Sequence, residues 1–438
     1  MSGLALPLLE PHRRSLETCV FCPKLCRAAC PVSNAEANET VTPWGKMSVA
    51  YFAARGDVPF DAEHAATAWA CTSCLACRDH CEHKNPVAET LAVTRAEAFE
   101  RGLAPDAARE AAARWHSRAP EVTHAVQVVA TQTDTDRAPD TDIALLLGCG
   151  YARRFPDVAR DAIQATMALT GQRVRPVRAC CGLPLLHAGD REGFTAAARR
   201  FAAEVARAPR VIAVDPGCAR TLLAEYPRTG VRLPPVELFV DIASAERARL
   251  RPLAPDELSS IAAGASAVSA ASAAGAGAAS PASDSASSAD SASSADSADS
   301  ASPGAAPAPG AAPAPGSPDS ARREAPRVRW HDPCQLGRGL GRFEEPRGIV
   351  ERVAGEVHGF QRERAEADCS GGGALLPQVR PETSRAIAGA RIHEHRSAGG
   401  GLLVTHCASS LHRFRSAGEP AADLVTLVAR ALAPRDAP

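Results

Sequence analysis

Fifteen cysteines, gathered into tight groups, constrain this 438-residue chain more than any other feature. Eight fall near the N-terminus, as Cys19-x2-Cys22-x3-Cys26-x3-Cys30-Pro31 and Cys71-x2-Cys74-x2-Cys77-x3-Cys81. The other seven are Cys149, Cys180, Cys181, Cys218, Cys334, Cys369 and Cys407. Residues Met1 to Arg14 lack a basic stretch followed by an apolar core, and no hydrophobic stretch follows Arg13-Arg14, so no export signal is expected. The expected compartment is the cytoplasm, where thiols stay reduced and clustered cysteines read as metal or iron–sulfur ligands.

The second N-terminal group has the x2, x2, x3 spacing of bacterial iron–sulfur proteins, and the first differs by one added residue while keeping the following proline. Three closely spaced thiolates can hold three irons of one cubane. The fourth, farther along, turns away and serves the other cluster. That crossover assigns Cys19, Cys22, Cys26 and Cys81 to one 4Fe–4S cluster and Cys71, Cys74, Cys77 and Cys30 to the second. The competing reading is a pair of four-thiolate zinc sites. His64, His80 and His83 lie nearby and read as polar surface.

Residues 1–118 lack strand alternation and read as a mostly helical domain, ending in a long helix over 87–114. An α/β module follows over 140–250. Its predicted strands lie at 143–147, 173–177 and 211–214, alternating with helices at 156–169, 194–207 and 218–225, which implies a mainly parallel sheet. Over 259–323 the chain is almost wholly Ala, Ser, Asp, Pro and Gly, too poor in apolar surface to offset the entropy of ordering, and reads as a disordered linker. A second α/β module is expected over 326–436, with strands at 328–331 and 402–404 and helices at 345–353 and 381–396.

With 49 basic and 50 acidic side chains, the net charge of −1 offers no electrostatic case for nucleic acid. The longest apolar run, around Ile143 to Leu147, is far below the roughly 20 residues of a membrane span, so direct insertion is not expected. No dinucleotide-binding fingerprint occurs, and Gly337-Arg-Gly339-Leu-Gly341 lacks the context of a phosphate loop.

The seven later cysteines form an internal repeat. Cys149, then Cys180-Cys181-Gly182-Leu-Pro184, then Cys218 match Cys334, then Asp368-Cys369-Ser370, then Cys407. Cys181 follows Cys149 by 32 positions and Cys369 follows Cys334 by 35; the next intervals are 37 and 38. These units behind a helical two-cluster domain resemble the heterodisulfide reductase and glycolate oxidase iron–sulfur subunit family, whose repeats are cysteine-rich, or CCG, domains. The resemblance implies an α plus α/β architecture and an electron-transfer subunit of an oxidoreductase. It implies a flavoprotein dehydrogenase donor acting on a 2-hydroxy acid or related substrate, and a quinone (through a membrane partner) or disulfide acceptor. Peripheral attachment at the inner face of the membrane through that partner would follow. It further implies that the CCG modules carry an additional cluster or zinc, with Cys149, Cys180, Cys181 and Cys218 as one ligand set and Cys334, Cys369 and Cys407 as the other. The chain departs from the five-cysteine pattern. Asp215 stands where a cysteine would complete Cys-x2-Cys with Cys218, and Asp368 and Ser370 replace a cysteine and the glycine. Asp368, His331 or His406 would then fill the open position of the second set, unless that copy binds no metal. The other readings are a disulfide reductase working at the CCG site and a zinc-stabilised scaffold without redox turnover.

Overall fold

The computed structural model describes residues 3–140, 142–276 and 326–433. The first part is helical. Arg13–Val20, Pro43–Arg55 and Val87–Glu100 pack around Leu9, Leu16, Met47, Trp69 and Leu91, all inaccessible to solvent. Thr42 starts the central helix: its hydroxyl accepts from the Gly45 N–H at 3.0 Å, and Pro43 occupies the first turn, where its missing N–H costs nothing. The single helix expected over 87–114 is in fact two, Val87–Glu100 and Asp106–Gln132. Gly102 (φ 72°) and Pro105 break the run, the first by a left-handed turn and the second because it cannot continue a helix. The longer helix crosses the boundary expected at 118. Ala108 lies in the N-terminal core, while Ala112 and Val129 lie in cores of the α/β part.

Two four-stranded parallel sheets follow. The first holds β1 (Ile143–Leu146), β2 (Val174–Pro176), β3 (Val211–Ala213) and β4 (Val236–Leu238), in the order β2-β1-β3-β4. The second holds β5 (Val328–Trp330), β6 (Val357–His358), β7 (Leu402–Thr405) and β8 (Ala421–Asp423), in the order β6-β5-β7-β8. The expected strands form, and β4, β6 and β8 complete the sheets. In both, the chain reverses its winding between the first and third strands. Parallel α/β sheets bind ligands at the carboxyl ends of such a switch point, which is where Cys149 and Cys218, and Cys334 and Cys407, emerge.

The modules pack on each other as a pseudo-symmetric pair, sharing one apolar core. Helix Pro156–Thr170 of the first packs on Leu424–Leu432 of the second, and Phe239–Ala245 packs on Glu344–Ala354 in return. Each seam carries a polar tie: Thr426 donates to Asp161 at 2.8 Å, and Arg342 clasps Asp241 at 2.6 and 3.1 Å. Most of the linker expected over 259–323 lies outside the described residues, but its start is corrected. Pro255–Ala276 is a helix, with Leu258 and Ala265 buried against the second module. Alanine-rich sequence is poor in apolar bulk yet has the highest helix propensity, and a short apolar stripe suffices once a surface receives it.

Candidate functional site

The eight N-terminal cysteines form two neighbouring sets. Cys19 has Cys22, Cys26 and Cys81 around it. Cys77 has Cys71, Cys74 and Cys30. Cys26 lies within electrostatic reach of Cys30, so the sets adjoin. Burial raises the Cys19 thiol to about 12 and the Cys26 thiol to about 11. Such sulfurs stay protonated unless a metal displaces the proton. Asn85 donates to Cys19 Sγ at 2.9 Å, a second-layer hydrogen bond of the kind that tunes a cluster. In the other set, the Ser73 N–H points at Cys71 Sγ at 3.3 Å. Ser73 (φ 54°) and Leu75 (φ 65°) hold left-handed backbone on either side of Cys74, local strain of a sort found where ligands are clamped.

Lys46 tests the fit of an iron–sulfur group to this second set. The side chain is 2% exposed, donating to Ala70 O at 2.6 Å and to Cys30 Sγ at 3.6 Å. Burial alone would depress its pKa, but the sulfurs of Cys30, Cys71 and Cys77 outweigh burial and hold the ammonium above its ordinary value. A buried cation needs a negative partner. Here it has only sulfurs, and a cubane bound by four thiolates supplies that negative charge. The donors present therefore fit the group. Among the described residues no three His, Cys, Asp or Glu side chains gather tightly enough to hold a single ion; a four-iron cluster separates its thiolates more widely than one zinc does.

The second set is pressed onto the second α/β module. Gln335 donates to Ser73 O and Arg338 to Cys74 O, both at 2.7 Å. Arg338, itself buried, also donates to Ala365 O at 3.0 Å and Ala367 O at 2.7 Å. Gly373 is where the backbones nearly touch, since a Cβ there would stand 2.3 Å from Thr72 O. The glycine run at 371–373 thus serves a backbone contact. At the centre of this seam Cys74 and Cys369 pack in one buried cluster, and Cys334 packs against it.

The two modules can be superposed through their strand registers, and this changes the internal alignment. Cys149 and Cys334 correspond, as the sequence indicates. The paired-cysteine turn shifts by one residue. The Gly182 N–H bonds to Cys180 and the Gly371 N–H bonds to Cys369 at 3.3 Å, and both glycines have φ 77°. Cys369 therefore matches Cys180, and Ser370 matches Cys181. The last cysteine shifts by three. Asp215 and Cys407 each lie two residues beyond the third strand of their sheet and cap the next helix. Asp215 accepts from the N–H of Gly217 at 2.9 Å and of Cys218 at 3.2 Å, while Cys407 holds the same position without a side-chain capping bond. Cys407 thus replaces Asp215, and Ser410 replaces Cys218. One contact confirms the alignment: the Cys181 thiol donates to Cys218 Sγ at 3.3 Å, and the Ser370 and Ser410 hydroxyls bond at 2.9 Å.

In the first module Cys149 contacts Cys180, which contacts Cys181. The bonds from Cys149 and Cys181 hold the Cys180 thiol well below its usual range, and Trp115 Nε1 donates to it at 3.4 Å. All seven later cysteines face one cavity of about 910 Å³ between the modules. The three alternative ligands for the second set are engaged elsewhere. Asp368 pairs with Arg362 at 3.3 Å, His331 Nδ1 accepts from Arg391 at 3.4 Å, and His406 Nδ1 bonds to Asp423 at 3.0 Å. None of them lines the cavity. Lys46, Asn85 and Trp115 carry no sequence signal, because only the fold brings them to sulfur.

Comparison with known families matches residues 15–85 to the 4Fe–4S dicluster domain and residues 143–223 and 328–414 to the cysteine-rich domain. The chain joins a 4Fe–4S dicluster domain to two CCG domains, the layout of heterodisulfide reductase-type iron–sulfur subunits. This dicluster–CCG chain is 22% identical over 404 residues, 90% of its length, to a protein of Methanothermobacter marburgensis named as a subunit of a CoM/CoB fumarate reductase. Over 105 residues, 24% of its length, it is 30% identical to a "Probable membrane-anchored ferredoxin" of Chromohalobacter salexigens. The matched regions span 66% and 16% of those relatives' own lengths. No helix among the described residues is long and apolar enough to cross a membrane.

Proposed function

We propose that the chain is the electron-transfer subunit of an oxidoreductase, relaying electrons from a flavoprotein dehydrogenase through two 4Fe–4S clusters to the cavity between its CCG modules. The clusters are bound by Cys19, Cys22, Cys26 and Cys81, and by Cys30, Cys71, Cys74 and Cys77. The observation that carries this reading is the packing of Cys74 with Cys369 in one buried cluster, which joins the second ligand set to the wall of the cavity. At the opposite end, Phe21 (77% exposed) and Leu25 (65% exposed) flank Cys22 and offer an apolar landing for the donor. Relationship to a reductase subunit supports the same class of activity.

The cavity is lined by Arg114, Arg118, Arg153, Arg154, Arg178 and Arg200, which favours an anionic acceptor, such as a charged disulfide, over a neutral quinone. A further centre is assigned to Cys149, Cys180, Cys181 and Cys218: an iron–sulfur cluster fits their spread, and zinc, the alternative, would require the four thiols to draw closer together. Metal and sulfide analysis of anaerobically purified protein, with EPR of the reduced sample, tests the whole reading. About eight irons and eight sulfides correspond to the two cubanes. About twelve irons place another cluster in the first module, and eight irons with one zinc place zinc there. Protein containing zinc and no sulfide overturns the relay.

A further inference from the structure

The second module has parted with some ligand positions and kept others. Ser370 and Ser410 stand where the first module has Cys181 and Cys218, bonded to each other at 2.9 Å. A serine hydroxyl keeps its proton at neutral pH and is a poor iron ligand beside thiolate. Cys407 stands apart, at the start of its helix and within electrostatic reach of Asp215. What remains is a pair, Cys369 in a buried cluster with Cys74 and Cys334 packed against that cluster, both facing the cavity. Cys369 is 5% exposed and touches Cys74, while Cys334 is only half-buried.

We propose that Cys334 and Cys369 are a reversible dithiol–disulfide pair, charged through the cluster bound at Cys74. The pair rests on the cluster placement given above. To charge it, two electrons arrive in succession from that cluster and two protons from solvent. The sulfur–sulfur bond breaks and two thiols form. To discharge it, the accessible Cys334 thiolate attacks a small-molecule disulfide RSSR′ in the cavity, forming a mixed disulfide and releasing R′SH. Cys369 then attacks the Cys334 sulfur, restores the internal disulfide and releases RSH. The balance is RSSR′ plus two electrons and two protons giving RSH and R′SH. The pair thereby converts one-electron cluster chemistry into a two-electron step.

The test uses full-length protein of measured iron and sulfide content, with glutathione disulfide as the probe. After treatment, alkylation of free thiols and digestion, mass spectrometry is expected to find a peptide linking Cys334 to Cys369. After dithionite both cysteines should be alkylated singly. Cys334→Ser and Cys369→Ser should keep wild-type iron and sulfide, while their dithionite-reduced clusters reoxidise several-fold more slowly with glutathione disulfide. Absence of the linked peptide in iron-replete protein overturns the pair, as does loss of iron in either variant, which would make these cysteines cluster ligands. Iron-free wild-type protein should still form the link with glutathione disulfide; if dithionite then cleaves that link as fast as in iron-replete protein, the coupling to Cys74 is overturned and the pair is left standing.

Discussion

Ser370 and Ser410 bond to each other at 2.9 Å in the place where Cys181 and Cys218 meet at 3.3 Å in the sister module. The two hydroxyls preserve the contact without offering thiolate ligands. Restoring sulfur should therefore restore metal-binding capacity. Ser370→Cys combined with Ser410→Cys gives the second module five thiols, counting Cys334, Cys369 and Cys407. Reconstituted anaerobically, that variant is expected to bind additional iron, up to about four atoms. An unchanged iron content would show that the second site is closed to metal for reasons beyond its ligands.

Lys46 places a positive charge against the second set of N-terminal cysteines. Adding an electron to a cluster makes it more negative, so the ammonium favours the reduced form. Lys46→Met keeps the volume and removes the charge. The midpoint potential of one cluster, followed by EPR during redox titration, should fall on the order of 60 mV, about 1.4 kcal/mol for a one-electron couple. The other cluster should move much less. Equal shifts in both would show a general loosening of the domain.

Arg338 seats the Cys74 loop on the second module through three carbonyls, of Cys74, Ala365 and Ala367. Arg338→Leu leaves these buried acceptors unpaired, at about 1–3 kcal/mol each where water cannot reach them. A lower unfolding temperature and faster loss of visible absorbance in air are expected. Wild-type behaviour in both measurements would mean that other contacts hold the seam.

His331 supplies a pH dependence. It is 1% exposed and accepts a hydrogen bond from Arg391, and burial together with that guanidinium pushes its pKa down to about 3. In the unfolded chain it titrates near its ordinary value, roughly 6.5. Between these values the unfolded state binds a proton that the folded state refuses. This contribution is therefore complete above about pH 6.5 and is lost as the pH falls toward 3. By pH 5 the loss amounts to at most about 2 kcal/mol. Urea midpoints measured at pH 7 and pH 5 should drop more for wild type than for His331→Gln, which keeps an acceptor but does not titrate. Parallel drops would assign the acid sensitivity to other groups.

Much of the architecture is legible in the residues. The spacing of Cys71, Cys74, Cys77 and Cys81 and the alternation of apolar runs with helical stretches are local signals, and the dicluster and CCG domains lie where they point. The alignment of the two repeats is less legible. Chain lengths between cysteines place Cys369 opposite Cys181, but the stretch before the turn is longer in the second module, 35 positions from Cys334 to Cys369 against 31 from Cys149 to Cys180, and only the glycine that accommodates left-handed backbone marks its true position. The helix at 255–276 is obscured by a composition that looks unstructured until a neighbouring surface covers Leu258. Lys46 and Asn85 reach sulfur across 16 and 66 residues of sequence, and nothing local predicts that.

The exchange of Asp215 for Cys407 at equivalent helix starts has an evolutionary consequence. Asp215 bonds the first N–H groups of its helix and Cys407 does not, yet the helix forms in both modules, so the fold tolerates either side chain at this position. A lineage can therefore trade a metal ligand for a carboxylate, or recover it, without passing through a misfolded ancestor. Duplicated modules of this kind can drift between metal-bearing and metal-free forms while the scaffold around them stays intact, so one half is free to acquire new chemistry as the other keeps the old.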